Sequence, residues 1–139
     1  MKKYDLKYIA LAISLFSIIC VFLPWVTTTL DHSSIKFDMG IEFPKIHETG
    51  ISWPEGVTAL FVCFFGSVLT FKENKYSYIS GIVNVILGIM VGIDISSVNE
   101  KISGVLGSSS VAGYGLVLFL LGQLGFIFIS YNFTTVRQK

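Results

Sequence analysis

YIALAISLFSIICVFLPWV, residues 8–26, is the stretch on which the fold turns. None of its 19 residues is charged, and at 1.5 Å of rise per helical residue they reach roughly 28 Å, close to the hydrocarbon thickness of a bilayer. Three more apolar runs of similar length follow, at 53–71, 78–95 and 113–131. Together they use more than half of a 139-residue chain that is 53% hydrophobic and only 14% charged, which leaves no room for a separate soluble domain. The expectation is one all-α membrane domain over 1–139, an antiparallel, left-handed bundle of four transmembrane helices. Residues 27–52 and 96–112 are its outer loops, 72–77 its inner loop, and the lipid bilayer its first partner.

The basic residues orient it. Lys2, Lys3, Lys7, Lys72, Lys75, Arg137 and Lys139 flank one end of the runs; only Lys36, Lys45 and Lys101 lie in the other two connections. Lys and Arg accumulate on the cytoplasmic side, so both termini are expected inside a plasma membrane that the chain crosses four times. MKKYDLK would suit a secretory signal, but no small-x-small cleavage pattern follows it. Nor does SIIC suit lipid attachment, because Ile19 stands where a small residue is favoured. An uncleaved first span is the expectation.

Small residues recur along the runs. Ala10, Ser14, Ser17 and Val21 form one stripe, and Ala59, Cys63, Gly66 and Thr70 form another with the same spacing. Lipid gives helices little hydrophobic reason to associate, so close approach over small side chains must supply the contact. The two stripes are expected to face each other. Gly81, Asn84, Gly88 and Gly92 share a face of the third run, and Gly115 and Gly122 one of the fourth. Gly88 and Gly92 make a GxxxG match, read first as packing within the molecule, with a homo-oligomer left open. Cys20 and Cys63 lie inside spans, at depths that differ by about 7 Å counted from Trp25 and Trp53, so they are read as two thiols.

The connections carry local signals. Thr27 to Thr29, then 35–39 and 41–43, alternate in a β-like way before Pro44, which predicts a small β-hairpin or sheet in the first outer loop. Ser52-Trp53-Pro54-Glu55 fits a capping box at the start of the second helix, with Pro54 in its first turn. Trp25, Tyr76 and Tyr78 read as interfacial rings. Ser97 to Glu100 reads as a second capping box opening a short amphipathic surface helix over 101–106, with 107–110 a flexible join.

Little chemistry is encoded. Asn84 and Gln123 lie six and eight residues from the inner ends of their spans, so their depths agree within about 3 Å and a hydrogen bond between them is expected. A polar lining for a solute path is the alternative. Asp94 is a candidate as an ionisable residue within a span, though one turn from the interface it can reach headgroup water. No series of carboxylates crosses the membrane, which argues against ion-coupled transport. Asp31, His32, Asp38, Glu42, His47 and Glu48 lack metal-ligand spacing, so no metal is expected. There is no Ser-His-Asp or Cys-His arrangement and no phosphate loop. Neither catalysis nor a cofactor is expected, and the inner lysines point to anionic lipid rather than nucleic acid.

Phe22-Leu23-Pro24-Trp25, the long first outer loop and the glycine-bearing last span resemble small prokaryotic four-span membrane proteins, many of them uncharacterised, whose first helix closes on an FLPW-like sequence. The layout is also similar to that of claudins. The claudin loop signature W…G-L-W…C…C is absent, so that likeness concerns shape and carries no function.

The expected function is therefore non-catalytic: an accessory or partner-recognition subunit that binds another membrane or envelope protein through its outer loop. Phe37, Met39, Phe43 and His47 are the expected contact residues. A small channel or transporter subunit using Asn84, Asp94 and Gln123 is the alternative, and an immunity-type protective protein is a third reading.

Overall fold

A computed structural model describes residues 3–30, 46–106 and 108–136. It contains four helices, α1 (Lys3–Val21), α2 (Pro54–Phe71), α3 (Ser77–Leu106) and α4 (Tyr114–Val136), and three strands, β1 (Pro24–Leu30), β2 (Ile46–Thr49) and β3 (Ser108–Ala112). Each helix packs on its neighbours in sequence, and α4 closes the ring on α1. The strands form one antiparallel sheet in the order β2-β1-β3. The sheet sits at the end of the bundle where α1 finishes and α2 begins; the tight turn between α2 and α3 marks the other end.

Among the described residues, three stretches are long and apolar enough to cross a membrane: Pro54–Phe71, Ser77–Ser97 and Tyr114–Asn132. The distribution of side chains is inside-out for a molecule in water. Phe61, Phe64, Phe65, Ile86, Ile89, Ile93, Leu121 and Phe128 are exposed, whereas Ser14, Ser17, Thr70, Ser80, Asn84, Gln123 and Ser130 are buried. Such an apolar exterior is far larger than the patches soluble monomers leave uncovered. Its natural solvent is hydrocarbon.

The first run departs from expectation. α1 stops at Val21, not at 26, because Pro24 has no N–H to continue the ladder and its ring would clash with the preceding turn. The last turn tightens through Phe22 N to Ile19 O (3.0 Å) and Leu23 N to Cys20 O (3.2 Å), and the chain then becomes β1. Residues 8–21 supply roughly 21 Å of apolar helix before the chain turns extended. Trp25 is not an interfacial anchor. It is fully buried, donates its indole N–H to Cys20 O at 2.9 Å and packs on Phe119 with ring centroids 5.0 Å apart. It plugs the bundle beneath the sheet.

The sheet also differs from expectation. Its third strand comes from the second loop, where Ser108–Ala112 pairs with β1 in place of the expected flexible join. α3 continues unbroken for 30 residues, so Ser97 to Glu100 opens no new helix. Ser52 does not cap α2 either. It lies in a 3₁₀ turn, Gly50–Ser52; Trp53 is the N-cap residue without a side-chain bond, and Pro54 follows at the first helical position. The reason is steric. Gly56 in the first turn lies so close to the Gly50 carbonyl that a Cβ would collide with it, and this packing fixes the entry angle in place of a capping hydroxyl. The strands expected over 35–39 and 41–43 lie outside the described residues.

At the opposite end α2 finishes in a Schellman arrangement: Glu73 N bonds Thr70 O at 3.0 Å and Asn74 N bonds Leu69 O at 2.8 Å. Glu73 occupies the left-handed position with φ 56°, which glycine usually fills. Lys7 Nζ, 3.3 Å from Glu73 Oε1, ties that turn to the start of α1.

Candidate functional site

The polar residues predicted from their depths meet in the middle of the bundle. Asn84 Nδ2 donates to Gln123 Oε1 at 3.1 Å, joining α3 to α4. Both amides also donate to the Cys63 sulfur of α2, Asn84 at 3.1 Å and Gln123 at 3.4 Å. On the α1 side, Ser14 Oγ pairs with Ser67 Oγ at 2.8 Å and donates to Cys63 O at 3.2 Å. One buried cluster therefore links all four helices, with Cys63 at its centre.

The small-residue stripes make this approach possible. Ala10, Ser14, Ser17 and Val21 are buried, as are Ala59, Cys63, Gly66 and Thr70, and the Ser14 bonds show the two stripes in register. Gly66 lets Ser80 of α3 come against the α2 backbone; a Cβ there would overlap the hydroxyl. Gly88 seats Leu120, but Gly92 faces open space, so only half of the GxxxG pair is used within the molecule. Cys20 and Cys63 are both buried free thiols of one core. Sequence reasoning missed Ser14, Ser67 and the Cys63 sulfur as members of the polar cluster. The signal was present for Ser14 and Cys63, which stand on stripes already assigned to packing, whereas Ser67 lies beside the second stripe.

Asp94 is not brought to this cluster. It lies on an exposed face of α3, and Asn84 and Gln123 are each only 1% exposed, so the three do not line one path. Glu55, the other carboxylate near the sheet end of a span, stands in the first turn of α2, where an acidic side chain suits the helix dipole.

The sheet organises the opposite kind of surface. One face carries the cross-strand row His47–Thr27–Val111, with Thr29 paired to Ser109 beside it. Thr27 Oγ1 and His47 Nδ1 are 3.2 Å apart, and Thr29 Oγ1 lies 2.9 Å from Ser109 Oγ. His47 is thus an exposed strand residue held in place. Phe37, Met39 and Phe43 lie outside the described residues, as do Asp31, His32, Asp38 and Glu42.

The other face overhangs the helix ends. Val26, Thr28, Ile46, Glu48 and Ser110 form a roof, with Trp53 and Ile95 completing a cleft of about 280 Å³. Thr28 Oγ1 and Ser110 Oγ are 3.0 Å apart across the roof, whereas the Trp53 indole N–H is buried with no partner among the described residues. Nothing in the sequence pointed to this cleft, because its lining comes from four separate segments. The chain matches no protein-family model, no curated protein and no solved structure.

Proposed function

We propose that the chain is a four-span integral membrane protein of the plasma membrane, with both termini cytoplasmic, and that it recognises another membrane or envelope protein through its extracytoplasmic cap. The fourth span in this reading is the run 8–26. Its outward side chains Leu15, Phe16, Ile19 and Phe22 continue the apolar exterior of the other three helices. The lysines at the turn end support the orientation.

One observation carries the functional part: the Asn84 and Gln123 amides at the middle of the bundle are turned on each other and on Cys63, while the sheet holds a polar row outward on its strands. Asn84 and Gln123 bond each other and Cys63, which is the behaviour of structural glue. His47, Thr27, Val111, Thr29 and Ser109 have no such packing duty, and edge strands fixed to a scaffold are common recognition surfaces. A channel or transporter subunit gains less support, since its three polar residues are split between a closed cluster and an exposed face. No feature of the structure favours the immunity-type reading.

Replacing His47 and Val111 by glutamate together alters the outer row without touching the core. Purification of the full chain from native membrane in mild detergent should then lose a co-purifying protein that the unaltered chain retains, at equal yield and helicity. Identical co-purified proteins from both forms would reject the reading. Thiol labelling of Asn74→Cys and Ser109→Cys on opposite sides of the membrane checks the threading; labelling from one side overturns it.

A further inference from the structure

The cleft beneath the sheet has a definite chemistry. Val26, Ile46 and Ile95 give it apolar walls, and Trp53 and Glu48 stand among the lining residues. Glu48 has no ion pair among the described residues. An occupant suited to this lining brings a cation for Glu48 and an apolar stem for the walls. One carboxylate among hydroxyls and aliphatic groups is a poor cage for a divalent ion, which takes six or more oxygens. An organic cation fits better, since an aromatic face and a carboxylate together favour ammonium and guanidinium groups.

The surrounding charge points the same way. Residues 27–55 and 94–112 hold Asp31, Asp38, Glu42, Glu48, Glu55, Asp94 and Glu100 against Lys36, Lys45 and Lys101, so 7 acids and 3 bases leave this part of the chain at −4. A field of that sign steers cations towards the cap and repels anionic headgroups. At about 280 Å³ the cleft lies at the small end of ligand pockets, with room for one long side chain and its adjoining peptide unit.

We propose that this cleft seats a lysine or arginine side chain presented on a peptide segment of the protein that the cap recognises. The aliphatic stem lies between Ile46, Ile95 and Trp53, and the charged head meets Glu48. The inference rests on the partner-recognition reading and specifies what the partner offers.

The test uses the full chain in nanodiscs of neutral phosphatidylcholine and the peptide acetyl-Gly-Leu-Lys-Leu-Gly-amide, with a norleucine twin in place of lysine. The protein has two tryptophans, of which Trp25 is sealed in the core, so a change in indole emission on titration reports Trp53. The lysine peptide should give a saturable change, with the norleucine peptide and the Glu48→Gln variant each weaker by about tenfold or more. Glu55→Gln, which removes a cap carboxylate outside the cleft, should bind within about twofold of the unaltered chain. Equal binding of the two peptides, equal losses in Glu48→Gln and Glu55→Gln, or no saturable change would each overturn the proposal. Co-purification separates the two levels. A partner retained by Glu48→Gln but lost when His47 and Val111 become glutamate rejects the basic side chain and keeps the recognition reading. A partner retained by both forms rejects the two together.

Discussion

The two ends of the bundle close in opposite ways. At the sheet end Trp25, Phe119, Val91, Ile95 and Leu116 fill the space between the helices with apolar volume, and the strands lie across the top. At the turn end Thr70, Ser77 and Ser130 are buried with hydroxyls that find no partner among the described residues. The bonds that hold this end lie at its rim: the Lys7–Glu73 ion pair, the Schellman turn, and Tyr78 edge-on to Tyr131 with centroids 6.0 Å apart. A buried polar atom without a partner costs about 1–3 kcal/mol. The contrast teaches that one bundle is sealed by shape at one end and fastened by its border at the other.

Substitutions can break or sharpen that contrast. The largest effect is expected from Trp25→Ala, which removes the plug and the shorter of the two hydrogen bonds to Cys20 O. It should lower unfolding free energy in detergent by about 3–5 kcal/mol and release the sheet, read as loss of amide-exchange protection in Thr27 and Thr28. Asn84→Leu cuts the link between the two ends and should cost about 1–2 kcal/mol. A double-mutant cycle with Gln123→Leu should return a coupling of about 0.6 kcal/mol; a coupling of zero would remove the cluster as a tie between α3 and α4. Thr70→Val should act in the other direction, raising stability by up to about 1 kcal/mol because it deletes an unpaired hydroxyl at nearly constant volume. A loss there would show that the turn end is as well satisfied as the sheet end. Smallest of all, Lys7→Gln should cost about 0.5 kcal/mol, and added salt should shrink the difference, since the pair sits at the surface.

The sequence makes the helices legible and the sheet only in part, with Thr27 to Thr29 falling in β1 and β3 unforeseen, for identifiable reasons. The run at 53–71 announces itself by length, a leading proline and a stripe of small residues, and α2 occupies it almost residue for residue. The Asn84–Gln123 pairing follows from depth alone, because antiparallel neighbours put equal depths side by side. The run at 8–26 misleads, since apolarity persists across a change of backbone: hydropathy does not distinguish a buried strand from a helix, whereas Pro24 does. β3 is the hardest element to read. Ser108, Ser109 and Ser110 have little intrinsic strand preference, and their order comes from pairing with β1. Ser52 shows a local motif losing to packing, where a glycine contact set the helix entry instead of a cap. The cleft was invisible for the same reason as β3. Its lining is assembled from β1, β2, the start of α2, α3 and β3, and no short window of sequence contains it.

β1 is the middle strand, and its second neighbour lies some eighty residues further along, Thr28 against Ser110. A ribosome delivers residues in order, so until position 112 has emerged β1 is bordered on one side only. The roof over Trp53 is completed by the same segment. A polypeptide halted before Ser108 thus displays an unfinished canopy, and the row His47–Thr27–Val111 exists only once the third strand has been made.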